Sequence, residues 1–265
     1  MHPNLVDLGF LHLKTYGACM AVGFLACWTL VEKLSGRRDL SNLLMSLMVS
    51  GVVGSRIAYV VEHWSSEFAA DPMRIVRIDQ GGLMFYGGLI LALVVFFAWC
   101  VAWGESVLGM ADLLAAVVPL GHACGRIGCF FYGCCYGRDS DAWCAVAFPP
   151  GSPSWYEHGQ RVVRVLPTQL FEAAALLALF AALMAVWRIR GTRRGIVTGV
   201  YMVGYAAIRF GMEYLRGDPR AAIGPLSISQ TISLGLALAG LAFVACGMRD
   251  SSRRASAKAG PTACP

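Results

Sequence analysis

The sequence predicts an all-α integral membrane protein, with roughly seven transmembrane helices around an internal cavity and a small extracytoplasmic head. Three observations lead there. Of the 265 residues, 57% are hydrophobic and 14% charged, and the mean hydropathy is +0.59, far from the balance of a soluble domain. The apolar residues gather into runs close to the ~20 residues that a helix needs to cross a bilayer. Three arginines nonetheless lie inside or at the margin of those runs, where a charge at mid-membrane costs on the order of 3 kcal/mol.

The first run, Tyr16 to Leu34, is followed by the basic "GRR" at Gly36 to Arg38. A cleaved signal peptide carries its positive charge before the apolar core, so this run reads as a retained span. The second, Leu43 to Val61, leads into the polar loop "EHWSSEFAADPMRIVRIDQ", and the third covers Leu83 to Trp103. After a turn at Gly104 to Ser106 a fourth run starts near Met110 and enters "CGRIGCFFYGCCYGR", Cys124 to Arg138. Residues 138–166 are polar, aromatic and proline-containing, which suits the head. The fifth, sixth and seventh runs are Gln169 to Trp187, Val197 to Leu215 and Ile228 to Cys246. Residues 1–248 therefore read as one transmembrane domain. The tail, 249–265, is poor in apolar residues and is expected to be disordered and cytoplasmic.

Basic residues set the orientation. Lys33, Arg37 and Arg38, then Arg188, Arg190, Arg193 and Arg194, then Arg249, Arg253, Arg254 and Lys258 fall on one side of a seven-span chain. The N-terminus is expected outside and the C-terminus in the cytoplasm. The opposite loops keep Arg74, Arg77, Arg138, Arg161, Arg164, Arg216 and Arg220, so those residues need a local reason. The net charge of +6 is scattered in clusters between apolar runs, a membrane-orienting pattern, and no nucleic-acid partner is expected.

Arg56 in "GVVGSRIAYVV", Arg126 in the motif and Arg209 in "GYAAIRFGMEYLRG" imply an internal polar site. Arg209, Glu213 and Arg216 stand at i, i+4 and i+7, which would put them on one helix face with the carboxylate between two guanidiniums. Arginine offers five donors in a planar fork suited to phosphate, so Arg126, Arg209 and Arg216 suit an anionic phospholipid headgroup. Gly125, Gly128, Gly133 and Gly137 each cost up to ~1 kcal/mol in a helix. They predict a broken helix lining the cavity, and close helix packing is the alternative.

The chain has ten cysteines. Cys19, Cys27, Cys100 and Cys246 fall in apolar runs and read as small hydrophobes. Cys124, Cys129, Cys134 and Cys135, with His122 nearby, lack the paired C-x-x-C spacing of a metal centre, and no metal is expected. A disulfide within this group or to Cys144, a reactive thiol, and packing by small side chains remain open.

Seven segments in order resemble the bacterial prolipoprotein diacylglyceryl transferase family: "YGACMAVGF", "GSRIAYVVE", "DPMRIVRIDQGGLMFYGGLI", "GRIGCFFYGCCYGR", "PTQLFEA", "GVYMVGYAAIRFGMEYLRGDP" and "SISQTIS". The resemblance implies an inner-membrane enzyme with a lipid-binding cavity and no cofactor. Such an enzyme takes phosphatidylglycerol and moves its diacylglyceryl group to the lipobox cysteine at the signal peptide of a preprolipoprotein. Tyr16, Arg126, Gly137, Arg209, Glu213 and Arg216 match the family pattern.

Departures concentrate at the motif. The family pattern G-R-x-G-N-F-x-N-x-E-x-x-G has Cys129 and Tyr132 here for its asparagines and Cys134 for its glutamate, while Tyr86 replaces the histidine before "GGL". The resemblance thus assigns catalysis to Arg126, Arg209, Tyr86, Tyr16 and Cys134, and substrate binding to Arg126, Gly137, Cys129, Glu213, Arg216 and Arg56. The departures keep two alternatives open: a membrane transferase using the same lipid with another acceptor, and a non-catalytic lipid-binding or redox-sensing protein.

Overall fold

The computed structural model describes residues 4–7, 12–69, 71–77, 81–190, 194–218 and 222–258. It is mostly helical. A short antiparallel pair, β1 (Asn4–Asp7) and β2 (His12–Lys14), precedes α1 (Thr15–Ser35). Then come α2 (Ser41–Glu62), α3 (Phe85–Ala102), α4 (Val107–Tyr132), α5 (Pro153–Glu157), α6 (Thr168–Arg190), α7 (Ile196–Met212) and α8 (Ile228–Lys258). Six helices among the described residues are long and apolar enough to cross a membrane: Thr15–Ser35, Ser41–Glu62, Phe85–Ala102, Val107–Tyr132, Thr168–Ile189 and Ile228–Met248. The sixth predicted run became α7, 17 residues long, followed by a 3-10 turn, Glu213–Leu215.

The chain forms two compact units, Val31–Met110 and the remainder. In the first, α2 and α3 make an antiparallel hairpin whose backbones touch. A Cβ added to Gly54 would lie 2.5 Å from the Gly87 carbonyl oxygen, and one on Gly88 would lie 2.5 Å from that of Gly51. Small residues at a crossing let helices approach where lipid offers no hydrophobic drive. At the turn between α1 and α2, Arg37 bonds both Asp39, at 2.6 Å, and Glu105, at 2.6 Å.

The second unit contains the first part of α1, most of α4, and α6 to α8. The same device joins α7 to α8: a Cβ on Gly199 would meet the Gly240 carbonyl oxygen at 2.7 Å, and one on Gly240 would meet that of Gly199 at 2.8 Å. A buried carboxylate from another helix caps α7. Asp112 on α4 accepts from the Gly195 amide at 2.6 Å, and from the Thr198 amide and hydroxyl at 2.7 Å each. An anion there satisfies donors that the helix cannot and meets the positive end of its dipole.

One expectation changes. The helix is not broken at Gly125 or Gly128: α4 runs unbroken to Tyr132 and ends at Gly133, whose φ is 83°. The glycines instead admit α1. A Cβ on Gly128 would lie 3.0 Å from the Tyr16 ring, and one on Gly23 would lie 2.8 Å from Cys124 Cβ, so packing outweighs propensity. The backbone of α8 also continues to Lys258, into the segment expected to lack structure. Extending an existing helix through Ala, Ser, Lys and Arg is cheap compared with starting one. Residues 259–265, with Cys264, lie outside the described residues.

Between α4 and α6 the chain folds on itself. The strands β3 (Val146–Ala147) and β4 (Arg164–Val165) pair antiparallel, and Tyr136, Phe148 and Val165 form a small buried cluster. The backbone just after α4 is held on both sides. The Gly137 amide donates to Leu166 at 2.9 Å and the Arg138 amide to Leu215 at 2.9 Å. Gly137 bridges Arg216, so the end of α4 and the end of α7 are tied together.

Candidate functional site

Arg126 stands one helical turn after His122 on α4, in a run that has no other cation. Its Nη2 lies 2.9 Å from Oε1 of Glu172, and the two side chains are only 14% and 1% exposed. The Arg126 Nε has no hydrogen-bond partner among the described residues. A guanidinium offers five N–H donors, so this contact fixes the group and leaves capacity for an anion. Removing one partner of such a pair costs about 3–5 kcal/mol, because the other is left as an uncompensated charge.

Glu172 belongs to the first turns of α6, where Thr168 and Gln169 are also 1% exposed. Thr168 donates its hydroxyl to the Cys135 carbonyl at 3.0 Å. Gln169 donates its amide to the Cys134 carbonyl at 2.8 Å, while its Oε1 has no partner among the described residues. One helix end therefore positions both the arginine and the cysteine-bearing turn. The segment "PTQLFEA" carries these side chains with no role assigned to them from sequence. The signal was there: Glu172 is the only acid in a long apolar run, and its burial needs a partner.

Arg209 on α7 pairs with Glu213 at 3.0 Å and donates from Nη2 to Ser229 Oγ at 2.9 Å. Ser229 is another residue of a quoted segment, "SISQTIS", that had no role. The i+7 expectation fails at Arg216. α7 ends at Met212, and Arg216 is extended, with φ −77° and ψ 145°. It leaves the helical face and forks onto Asp218, with Nε and Nη2 each 2.9 Å from a carboxylate oxygen. The guanidinium also lies in the electrostatic field of Cys135. Arg126 and Arg216 repel each other, and His122 lies in the field of both Arg126 and Arg209, so the three arginines share one electrostatic region.

The expected residues Cys129, Cys134 and Gly137 fall at this place. Cys129, Cys134 and Cys135 carry sulfurs that all lie within 4.8 Å of one another. All nine cysteines among the described residues are free thiols. Tyr16, in the first turn of α1, lies against Gly128 and interacts electrostatically with the three thiols and Arg126.

Two expected residues belong to the other unit. Tyr86 is the second residue of α3, 54% exposed, with its ring edge-on to Phe85. Arg56, expected to bind substrate, is organised differently. Its Nε donates to Ile75 at 2.9 Å, Nη1 to Gly81 at 2.8 Å and Gly82 at 3.0 Å, and Nη2 to Arg74 and Arg77. Every nitrogen is committed to a carbonyl of the α2–α3 loop, and Tyr59 and Phe68 flank the group. Arg56 thus organises this loop.

Six helices long and apolar enough to cross a membrane, together with Arg126 and Arg209 each paired to a buried carboxylate, define a multi-pass membrane protein. The family model for prolipoprotein diacylglyceryl transferase matches residues 3–246. The chain belongs to that family. Among its relatives, the phosphatidylglycerol–prolipoprotein diacylglyceryl transferase of Pseudoalteromonas translucida is 33% identical, over 97% of this chain and 96% of its own. Those of Rhodospirillum rubrum and Clostridium tetani are 32% and 30% identical, over 90% and 91% of this chain and 89% and 96% of theirs.

Proposed function

We propose that this protein is a phosphatidylglycerol:prolipoprotein diacylglyceryl transferase of the bacterial inner membrane. The acceptor is the lipobox cysteine thiol at the signal peptide of a preprolipoprotein. The observation that carries the reading is the buried Arg126–Glu172 pair with its unpartnered Nε, at the position where the chain matches the family's "GRxG". In the reaction the acceptor sulfur forms a bond to the glyceryl carbon, the carbon–oxygen bond to phosphate breaks, and the thiol proton leaves with glycerol phosphate or solvent.

Arg126 and Arg209 hold the phosphate and stabilise the charge that grows on its leaving oxygen. Preorganised donors in a water-poor site do this without reorganisation. Arg216, Glu213 and Gly137 fix the frame, and Tyr16 and Cys134 offer donors beside it. The role of Tyr86 rests on its place in the family pattern alone. α7 with its 3-10 turn serves as the seventh crossing, with the N-terminus outside and the C-terminus cytoplasmic. Residues 1–248 work as one transferase domain, a lipid-binding cavity opens sideways to the bilayer, and the head, about 138–166, meets the protein substrate.

The test is a transfer assay on purified protein in detergent with phosphatidylglycerol and a lipobox peptide, read by mass spectrometry with and without reductant. The peptide is expected to gain the diacylglyceryl mass. An unmodified peptide in both conditions, with lipid still bound, would refute this acceptor and favour the alternatives that the motif departures leave open.

A further inference from the structure

We infer that Cys129, Cys134 and Cys135 form a binding site for one soft, thiophilic metal ion held by three thiolate sulfurs. Their sulfurs already lie within 4.8 Å of one another. Three thiolates around an ion at ~2.3 Å sit about 4 Å apart, so small side-chain adjustments complete the trigonal set. Thiolates select ions such as zinc, cadmium and monovalent copper over hard cations.

The spacing in sequence hides this arrangement and the helix end creates it. Gly133 stops α4, and the amides of Gly133 and Cys134 both return to the Cys129 carbonyl, at 2.9 and 3.2 Å. Cys134 is thereby folded back over Cys129. Cys135 then takes φ 60°, a left-handed conformation that costs a side-chain-bearing residue about 1–2 kcal/mol. The buried donors of Thr168 and Gln169 hold its backbone and that of Cys134 in place. Strain kept by surrounding structure is typical of sites.

The charge environment agrees. Arg216 lies in the field of Cys135, and Arg126 in that of Cys129 and Cys135. Binding of a divalent ion replaces three thiol protons, which pass to solvent, and leaves a complex of charge −1 beside these guanidiniums. Among the described residues the remaining cysteines join no such group.

This inference does not depend on the transferase reading, because binding is measured without turnover. Reduced full-length protein in detergent is titrated with Cd2+, following the ultraviolet thiolate-to-cadmium band, and thiols left reactive are mapped by alkylation and mass spectrometry. One ion per chain is expected, with Cys129, Cys134 and Cys135 protected and Cys144 still reactive. Cys135→Ser should weaken binding at least about tenfold, since even outer-shell changes at metal sites cost 10–100-fold, and Cys144→Ser should leave it unchanged. Absence of the band, protection of other cysteines instead, or equal affinity in Cys135→Ser would overturn the site. Should the serine variant not fold, the wild-type protection map decides alone.

Discussion

Two arginines enter apolar helices of this protein by opposite routes. Arg56 gives every guanidinium nitrogen to loop carbonyls, whereas Arg126 contacts one carboxylate and keeps an unpartnered Nε. Each solves the cost of a buried cation, but only the second keeps a donor without a partner among the described residues. A charge in a membrane helix therefore announces a partner, and the saturation of its donors decides whether that partner is the protein itself or something that arrives later.

The comparison predicts different kinds of damage. The largest effect is expected for Arg126→Ala, where diacylglyceryl transfer should fall by about 10²–10³-fold, the range for losing one preorganised donor to a developing oxyanion, with the protein still inserted. Full activity would place Arg126 with Arg56 as a structural residue. Next, Arg56→Ala should act on stability: several charge-assisted bonds to loop carbonyls are lost, about 3 kcal/mol in sum. Thermal unfolding should shift down and the loop around residues 71–77 should become open to protease, with phosphatidylglycerol still bound. Loss of lipid binding in a folded Arg56→Ala protein would erase the distinction.

Asp112→Ala should cost about 2 kcal/mol through the lost cap of α7, as at the strongest N-caps, read by denaturation in detergent. An unchanged midpoint would show that the capped turn is satisfied otherwise. The smallest effect concerns His158. Burial opposes its charged form, but the Ser154 carbonyl and the Asp139 carboxylate, 2.9 Å away, outweigh this and hold its pKa above the ordinary value. A raised folded-state pKa contributes stability that is complete below the unfolded value, about 6.5, and is lost as pH rises through the folded one. Melting of the segment between α4 and α6 should therefore move to lower temperature across that interval. His158→Gln should flatten the profile, and an unchanged profile in the variant would remove His158 as its source.

Much of this organisation is legible in the chain. The helices long enough to span the membrane fall within a few residues of the predicted runs, because length and apolar content are sequence properties. The buried arginines are equally visible, since their cost does not depend on the fold. The glycines misled because propensity is local: a helix through Gly125 and Gly128 is poor alone and good against α1. Arg216 misled because i+7 assumes that the helix persists, and it stops at Met212.

The sequence by itself determined that this is a membrane protein with arginines inside its apolar runs, and by its motifs which family it belongs to. Tertiary structure alone decided that Glu172 holds Arg126, that Arg56 meets the carbonyls of the α2–α3 loop, and that Cys129, Cys134 and Cys135 meet. Hydropathy and the presence of charge are sums over residues and survive without a fold. Which donor meets which acceptor depends on where helices end and how closely their backbones approach, and those are set by contacts between segments far apart in the chain.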